Sequence, residues 1–327
     1  MKLIGYEYQS CFAPYIKQFL QEKRSVGFIY ETEEWKLKHF DDFCIKESVI
    51  QPYLSRELIK KWGTLREGES LATCSARVSI IRQFALFMIS LGKDAYIPSN
   101  FYKCEKRMVH ILSDDEISAF FNEIDSYFPK IKVPSFLRLS TEYKVIFRLI
   151  YCCGLRISEA RKLKWSDADL ESGTLKIMQS KGHKDRKIHM SDDLSVLMKE
   201  YKTILRDHHE CTSEWIFPAR EPESCLSSAT INAVFRMAWN ATPYAKNCDR
   251  TPTVHCLRHS FGVKRMNLWM EEGIALKEML PFLSRYLGHQ STDDTFYYYH
   301  QVSEAFQIIR DKDKTSDFVI PEVNDHE

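Results

Sequence analysis

EYKVIFRLIYCCGLRISEARKLKW, residues 142–165, decides how this chain must be built. Apolar residues crowd its first half on almost every side, so a helix here has to be buried, and it runs out near Gly154. A glycine at that place suits the left-handed residue that closes a helix. SEARKLKW then begins another segment, with Arg156 and Glu159 at its opening.

Upstream the pattern is helical throughout. APYIKQFLQEK (13–23) and SARVSIIRQFALFMISLG (75–92) repeat apolar residues at helical spacing, the second ending at a C-cap glycine. EEWKLKHFDDFC gives a shorter amphipathic segment between them, and KWGTLREGES (61–70) reads as an exposed turn. YIPSNFYKCEKRMVHILSDDE (96–116) marks a boundary, because a proline and a basic run precede a new capping box at Ser113 and Glu116. A helical domain over 1–105 and a second domain over 106–327, opening on a helix at 114–125, are expected.

Downstream, GTLKIMQSKGHKDRKIHMS holds two short apolar-containing runs around a basic, glycine-bearing turn, which predicts a β-hairpin. Helical patterns return at 192–202, 229–239 and HCLRHSFGVKRMNLWMEEG (255–273). The fold class expected is therefore mainly α with a small β-sheet, the second domain being mixed α+β. The polar tail DKDKTSDFVIPEVNDHE is read as frayed or docked on a partner subunit.

Composition narrows the setting. With 46 basic and 45 acidic residues among 327, the formal net charge is +1, so an anionic partner must be held by local patches. Residues 1–107 carry 17 basic and 13 acidic side chains, and the rest carry 29 and 32. Positive charge in the second domain gathers instead on the hairpin, at Lys176, Lys181, Lys184, Arg186 and Lys187. Ten cysteines without regular spacing, no leader pattern and no long apolar run predict a reduced, cytoplasmic, membrane-free protein. His208, His209, Cys211 and Cys225 lack the two-pair spacing of a zinc site, and no compact carboxylate cluster calls for a divalent cation, so neither metal nor cofactor is expected.

Polar residues able to do chemistry stand in GLRISEA (Arg156, Glu159), SKGHKDRK (Lys181), HCLRH (His255, Arg258, His259) and LGH (His289). An arginine fork can hold two phosphate oxygens, a lysine can protonate an alkoxide leaving group, and a tyrosine can attack. Each residue alone also reads as an ordinary ion pair, surface lysine or structural histidine. In order, however, GLRxSEA, KGxKxR, HxLRH, LGH and a tyrosine nine residues later resemble the tyrosine recombinases, the phage integrase family.

That resemblance implies a helical core-binding domain followed by a catalytic domain. It implies that Arg156 and Arg258 clamp the scissile phosphate, Lys181 protonates the leaving 5′ oxygen, His255 and His289 hold phosphate oxygens and assist proton movement, and Glu159 supports the first arginine. His259 is left structural. The reaction implied is two transesterifications through a 3′-phosphotyrosyl ester, by four protomers on two specific DNA duplexes, with an accessory directionality factor as a further possible partner. Lys103, Lys106, Arg107, Lys184, Arg186 and Lys187 are expected to touch DNA phosphates. A type IB topoisomerase-like enzyme and a non-catalytic DNA-binding protein are the competing readings.

The last motif, LGHQSTDDTFYYYH (287–300), carries three tyrosines. Ser291 and Asp294 predict a capping box and a helix to about Ile309, on which Tyr299 joins an apolar stripe with Phe296, Val302 and Phe306. Local pattern leaves Tyr297 and Tyr298 open. The family spacing implies Tyr298 as the nucleophile.

Overall fold

A computed structural model describes residues 5–98, 109–178, 185–248, 250–289 and 291–295. The chain divides into two compact units, Met1–Arg107 and Met108–Glu327.

The first unit packs α1 (Ala13–Ser25), α2 (Glu31–Lys46), α3 (Arg56–Trp62) and α4 (Leu71–Ser90) around a ring-rich core. Phe12, Phe19, Phe40, Trp62 and Phe84 are all buried. Phe40 meets Trp62 edge-on at 5.2 Å, and Phe19 meets Phe84 at 5.7 Å, the tilted contacts that aromatic quadrupoles favour. Ser55 and Ser70 cap α3 and α4 by accepting from the Leu58 and Thr73 N–H groups. By length and composition α4 could cross a membrane, yet half of its most apolar window is buried inside the protein, and it packs on α1 and α2 as a core helix.

The segment 61–70 is an exposed turn over Thr64–Gly68, as expected, but it begins in the last turn of a short helix. Trp62 ends α3 inside the core, and the Arg77 guanidinium lies 4.7 Å over its ring while Glu69 binds Arg77 at 2.7 and 3.0 Å. Seven residues are too few to show a helical period, so the sequence pattern hides α3.

The second unit runs α5 (Asp114–Ser126), α6 (Pro134–Cys153), α7 (Ile157–Arg161), β1 (Ala168–Asp169), β2 (Thr174–Ile177), β3 (Arg186–His189), α8 (Asp192–Asp207), α9 (Ser228–Ala241), α10 (Val254–Glu271) and α11 (Leu276–Leu287). Among the described residues it is mainly helical with a small antiparallel sheet of order β1-β2-β3, as expected. The Ser113–Glu116 capping box opens α5. The hairpin pairs Leu175 with Ile188 and Lys176 with Lys187, which puts Leu175, Ile177 and Ile188 in the core and both lysines outside.

α6 is the spine of this unit. It packs against α5, α8 and α10, and Phe120, Phe147 and Phe235 cluster beside it, the first and last 4.8 Å apart. A buried Arg138–Glu142 pair on α6 ties it to the 218–220 loop, because Arg138 also donates to the Ala219 carbonyl at 2.5 Å. Burial drives the Glu142 carboxyl well above its ordinary pKa despite that partner.

Gly154 ends α6 at φ +60°, and a Cβ there would stand 2.5 Å from Phe261 and 2.8 Å from Leu287. Left-handed backbone and overpacking both oppose a side chain. Gly154→Ala is expected to lose about 2–5 kcal/mol of stability, read as a lower urea midpoint at unchanged slope. A midpoint equal to the parent's would show that α10 and α11 yield to the methyl.

α11 has no counterpart among the sequence expectations. Pro281 lies inside it, where proline removes a backbone donor, and so conceals an otherwise apolar helical period.

Candidate active site

The C-terminus of α11 organises the site. A helix end leaves carbonyls without partners, and its dipole favours cations there. Three consecutive carbonyls here accept from three arginines: Tyr286 from Arg186 Nε at 2.6 Å, Leu287 from Arg258 Nη2 at 2.6 Å, and Gly288 from Arg156 Nη2 at 2.7 Å. Gly288, at φ +69°, lets the His289 N–H turn back to the Ser284 carbonyl at 2.9 Å and close the helix. A Cβ on Gly288 would lie 3.1 Å from Arg186 and 3.3 Å from Arg156, so the glycine also makes room for two guanidinium groups.

Each arginine arrives from a different element. Arg156 stands just before α7, where the Glu159 carboxylate accepts from both its N–H (2.9 Å) and its Nη1 (2.8 Å). Arg258 comes from α10, buried, and donates Nη1 to the Gly154 carbonyl at 2.8 Å. Arg186 opens β3.

Glu159 faces all three. Arg186 forks onto its two oxygens at 3.1 and 2.9 Å, and Arg258 Nη1 lies 3.7 Å away. Burial alone would raise the Glu159 pKa, but the hydrogen bonds and charges of Arg186 and Arg156 outweigh it and hold the carboxyl at about 2. One carboxylate against three guanidiniums leaves net positive charge at the site. An anion with several oxygens matches it.

Two histidines join them. His255, in the first turn of α10, meets the His259 ring edge-on at 4.3 Å. Desolvation, then Arg258 and Arg156, lower its pKa to about 4 against the opposing charge of Glu159. His289 is half-buried and likewise lowered to about 4 by desolvation and the same two arginines. Its Nδ1 lies 2.6 Å from the hydroxyl of Thr295, a residue 2% exposed. Both rings are therefore neutral near pH 7, able to accept a proton. His259 is buried and lowered to about 2 by desolvation, then by His255, Arg258 and His289 around it.

The structure thus brings together Arg156, Glu159, His255, Arg258 and His289 from the expected set. Lys181, Tyr298, Lys103, Lys106, Arg107 and Lys184 lie outside the described residues, as do Tyr297, Tyr299 and the helix expected beyond Phe296. Ser291 accepts from the Asp293 N–H at 3.1 Å.

Arg186 needs correction. It was expected on the phosphate-binding surface of the hairpin, but its side chain is 9% exposed and faces Glu159 and Tyr286. Strand alternation explains this, because Arg186 shares the inward face with Ile188 while Lys187 points to solvent. The missed contributors are Arg186 in this role, Thr295 and the α11 carbonyls. Only Arg186 carried a signal, as the apolar-facing partner of Ile188. Among the described residues no group of three or more His, Cys, Asp or Glu side chains is placed to hold a metal ion. Cys225 instead lies 3.1 Å from Arg161.

Known proteins share this arrangement at the level of fold. The chain superposes on XerH site-specific recombinase bound to palindromic difH substrate (TM-score 0.61, 20% identity, 91% of this chain and 83% of that one). It also superposes on the Tn1549 transposon integrase in complex with a circular intermediate DNA (TM-score 0.63, 13% identity, 91% and 98%). In sequence it is 23% identical over 297 residues to y4rB of Sinorhizobium fredii, described as an integrase/recombinase, covering 88% of this chain and 92% of that protein. The phage integrase family profile matches residues 111–305, more than half of the chain, and takes in every arginine and histidine of the site; the protein belongs to the phage integrase family, the tyrosine recombinases.

Proposed function

We propose that this chain is a site-specific DNA recombinase that cuts and rejoins duplex DNA through a 3′-phosphotyrosyl ester on Tyr298, in integration, excision or transposition of a mobile element. The observation that carries the reading is the convergence of Arg156, Arg258, His255 and His289 at the α11 C-terminus, where desolvation and then both arginines depress each histidine's pKa. In the first step the Tyr298 oxygen bonds to phosphorus and the bond to the 5′ oxygen breaks. The arginines offset charge growing on the non-bridging oxygens, the neutral imidazoles accept or share the tyrosine proton, and Lys181 supplies one to the leaving oxygen. In the second step a 5′ hydroxyl of the partner duplex attacks the ester and releases the tyrosine.

The first unit acts as core-binding domain and the second as catalytic domain, with DNA reached in the cytoplasm. Lys176 and Lys187 face each other across the hairpin on its exposed side, where like charges repel. A DNA phosphate would relieve that repulsion, so Lys187 remains a phosphate contact in this reading, with Lys184, Lys103, Lys106 and Arg107. Solved relatives include a lambda integrase dimer on a core site, and four protomers on two duplexes, with an accessory factor setting direction, is the assembly proposed here.

The test is incubation of the protein with nicked duplexes from the DNA flanking its gene. A denaturant-stable adduct joined to the 3′ end, followed by strand exchange, is expected. Relaxation of supercoils without exchanged product would favour a topoisomerase, and binding without adduct a non-catalytic protein.

Thr295 gives a narrower expectation. Its hydroxyl fixes the His289 ring, so Thr295→Val should slow adduct formation about 10–100-fold, and Thr295→Ser should restore most of it. Equal rates in the valine and serine variants would remove the hydroxyl from the argument.

A further inference from the structure

Arg186 uses its whole guanidinium inside the protein. Nη1 and Nη2 fork onto the two oxygens of Glu159 at 3.1 and 2.9 Å, and Nε donates to the Tyr286 carbonyl at 2.6 Å. Glu159 Oε1 also takes Arg156 Nη1 at 2.8 Å, and Oε2 stands 3.7 Å from Arg258. Arg186 is thus bound on one side to the carboxylate that orients Arg156, and on the other to the helix end whose next two carbonyls hold Arg258 and Arg156.

We propose that Arg186 is a positioning residue for the phosphate clamp: it fixes Glu159 and the α11 C-terminus relative to each other, and so sets the spacing of Arg156 and Arg258 without itself touching DNA. This rests on the recombinase reading above. Three features of the geometry require arginine at this place. The fork matches both carboxylate oxygens, Nε reaches a third acceptor in the same plane, and the charge does not titrate. A lysine ammonium can meet the carboxylate or the carbonyl but cannot hold both in one rigid plane. Gly288 supports the same reading, because its missing side chain leaves space that Arg186 and Arg156 share.

The experiment compares the parent with Arg186→Lys and Arg186→Met on two probes. On a generic duplex of about 30 base pairs, affinity and the dependence of log K on log salt are expected to stay as in the parent. A DNA-contacting arginine would instead lower the salt slope by about one. On nicked duplexes from the DNA flanking the gene, adduct formation at saturating protein is expected to fall about 100-fold in both variants, the size of effect that small misplacement of reacting groups produces. Lysine should fail to rescue. As a readout independent of turnover, the Glu159 carboxyl, followed by carbon NMR, should titrate at higher pH in Arg186→Met than in the parent.

A reduced salt slope would overturn the proposal in favour of direct DNA contact. An adduct rate equal to the parent's, or full rescue by lysine, would overturn it too. Parallel loss of binding, adduct and thermal stability would make Arg186 a fold residue only. Absence of adduct in the parent itself would overturn the recombinase reading, an outcome distinct from all of these.

Discussion

Tyr298→Phe is expected to bind duplex DNA as the parent does and to form no covalent adduct, a loss of at least about 10⁴-fold, because only the attacking oxygen is removed. Tyr297→Phe and Tyr299→Phe are expected to keep the adduct. The ring survives in each variant, so packing changes little and the three measurements isolate one hydroxyl. The sequence pattern sets Tyr299 on an apolar stripe with Phe296 and Val302 and leaves Tyr297 and Tyr298 open, and the spacing of the family it resembles points to Tyr298. An adduct lost in Tyr297→Phe and kept in Tyr298→Phe would shift the register by one and remove Tyr298 as the nucleophile.

The site was legible in the order of GLRxSEA, HxLRH and LGH, through the family they resemble, since each residue alone reads as an ordinary ion pair or structural histidine. Gly154 was legible as a helix end, with Arg156 two residues beyond it. The capping box at Ser113 and the alternation of the hairpin were legible for the same reason, since both are properties of a few neighbouring residues. What the sequence hid depends on distant partners. Arg186 carried a signal in its inward place beside Ile188, but its partner Glu159, 27 residues away, shows only in the fold. α11 was lost to Pro281, and α3 to its brevity. Trp62 fell in a stretch read as an exposed turn, because nothing local says that its ring stacks under the Arg77 guanidinium.

Glu159→Gln tests the same geometry through stability. The carboxylate is 7% exposed and faces three guanidiniums, so solvent screens it little and its loss leaves buried like charges together. Removing one partner of such a buried set costs about 3–5 kcal/mol. The pH dependence carries the signature. Glu159 titrates at about 2 in the folded protein against an ordinary 4.5, so its contribution is complete above pH 4.5 and drains away as pH falls toward 2. That difference is worth about 3 kcal/mol to within an order-of-magnitude estimate. The histidines act at higher pH. His289 and His259 are lowered from 6.5 to about 4 and about 2, so the unfolded chain takes their protons first and stability starts to fall as pH drops below 6.5. Urea midpoints of the parent should therefore decline in two overlapping stages, the first from the histidines and the second from Glu159. Glu159→Gln is expected to start lower at pH 7, to keep the first stage and to lose the second, so that the two curves approach each other below pH 4.5. Curves that stay parallel down to pH 3 would mean that Glu159 holds no special charge balance, and that the three arginines are kept apart by their carbonyl partners alone.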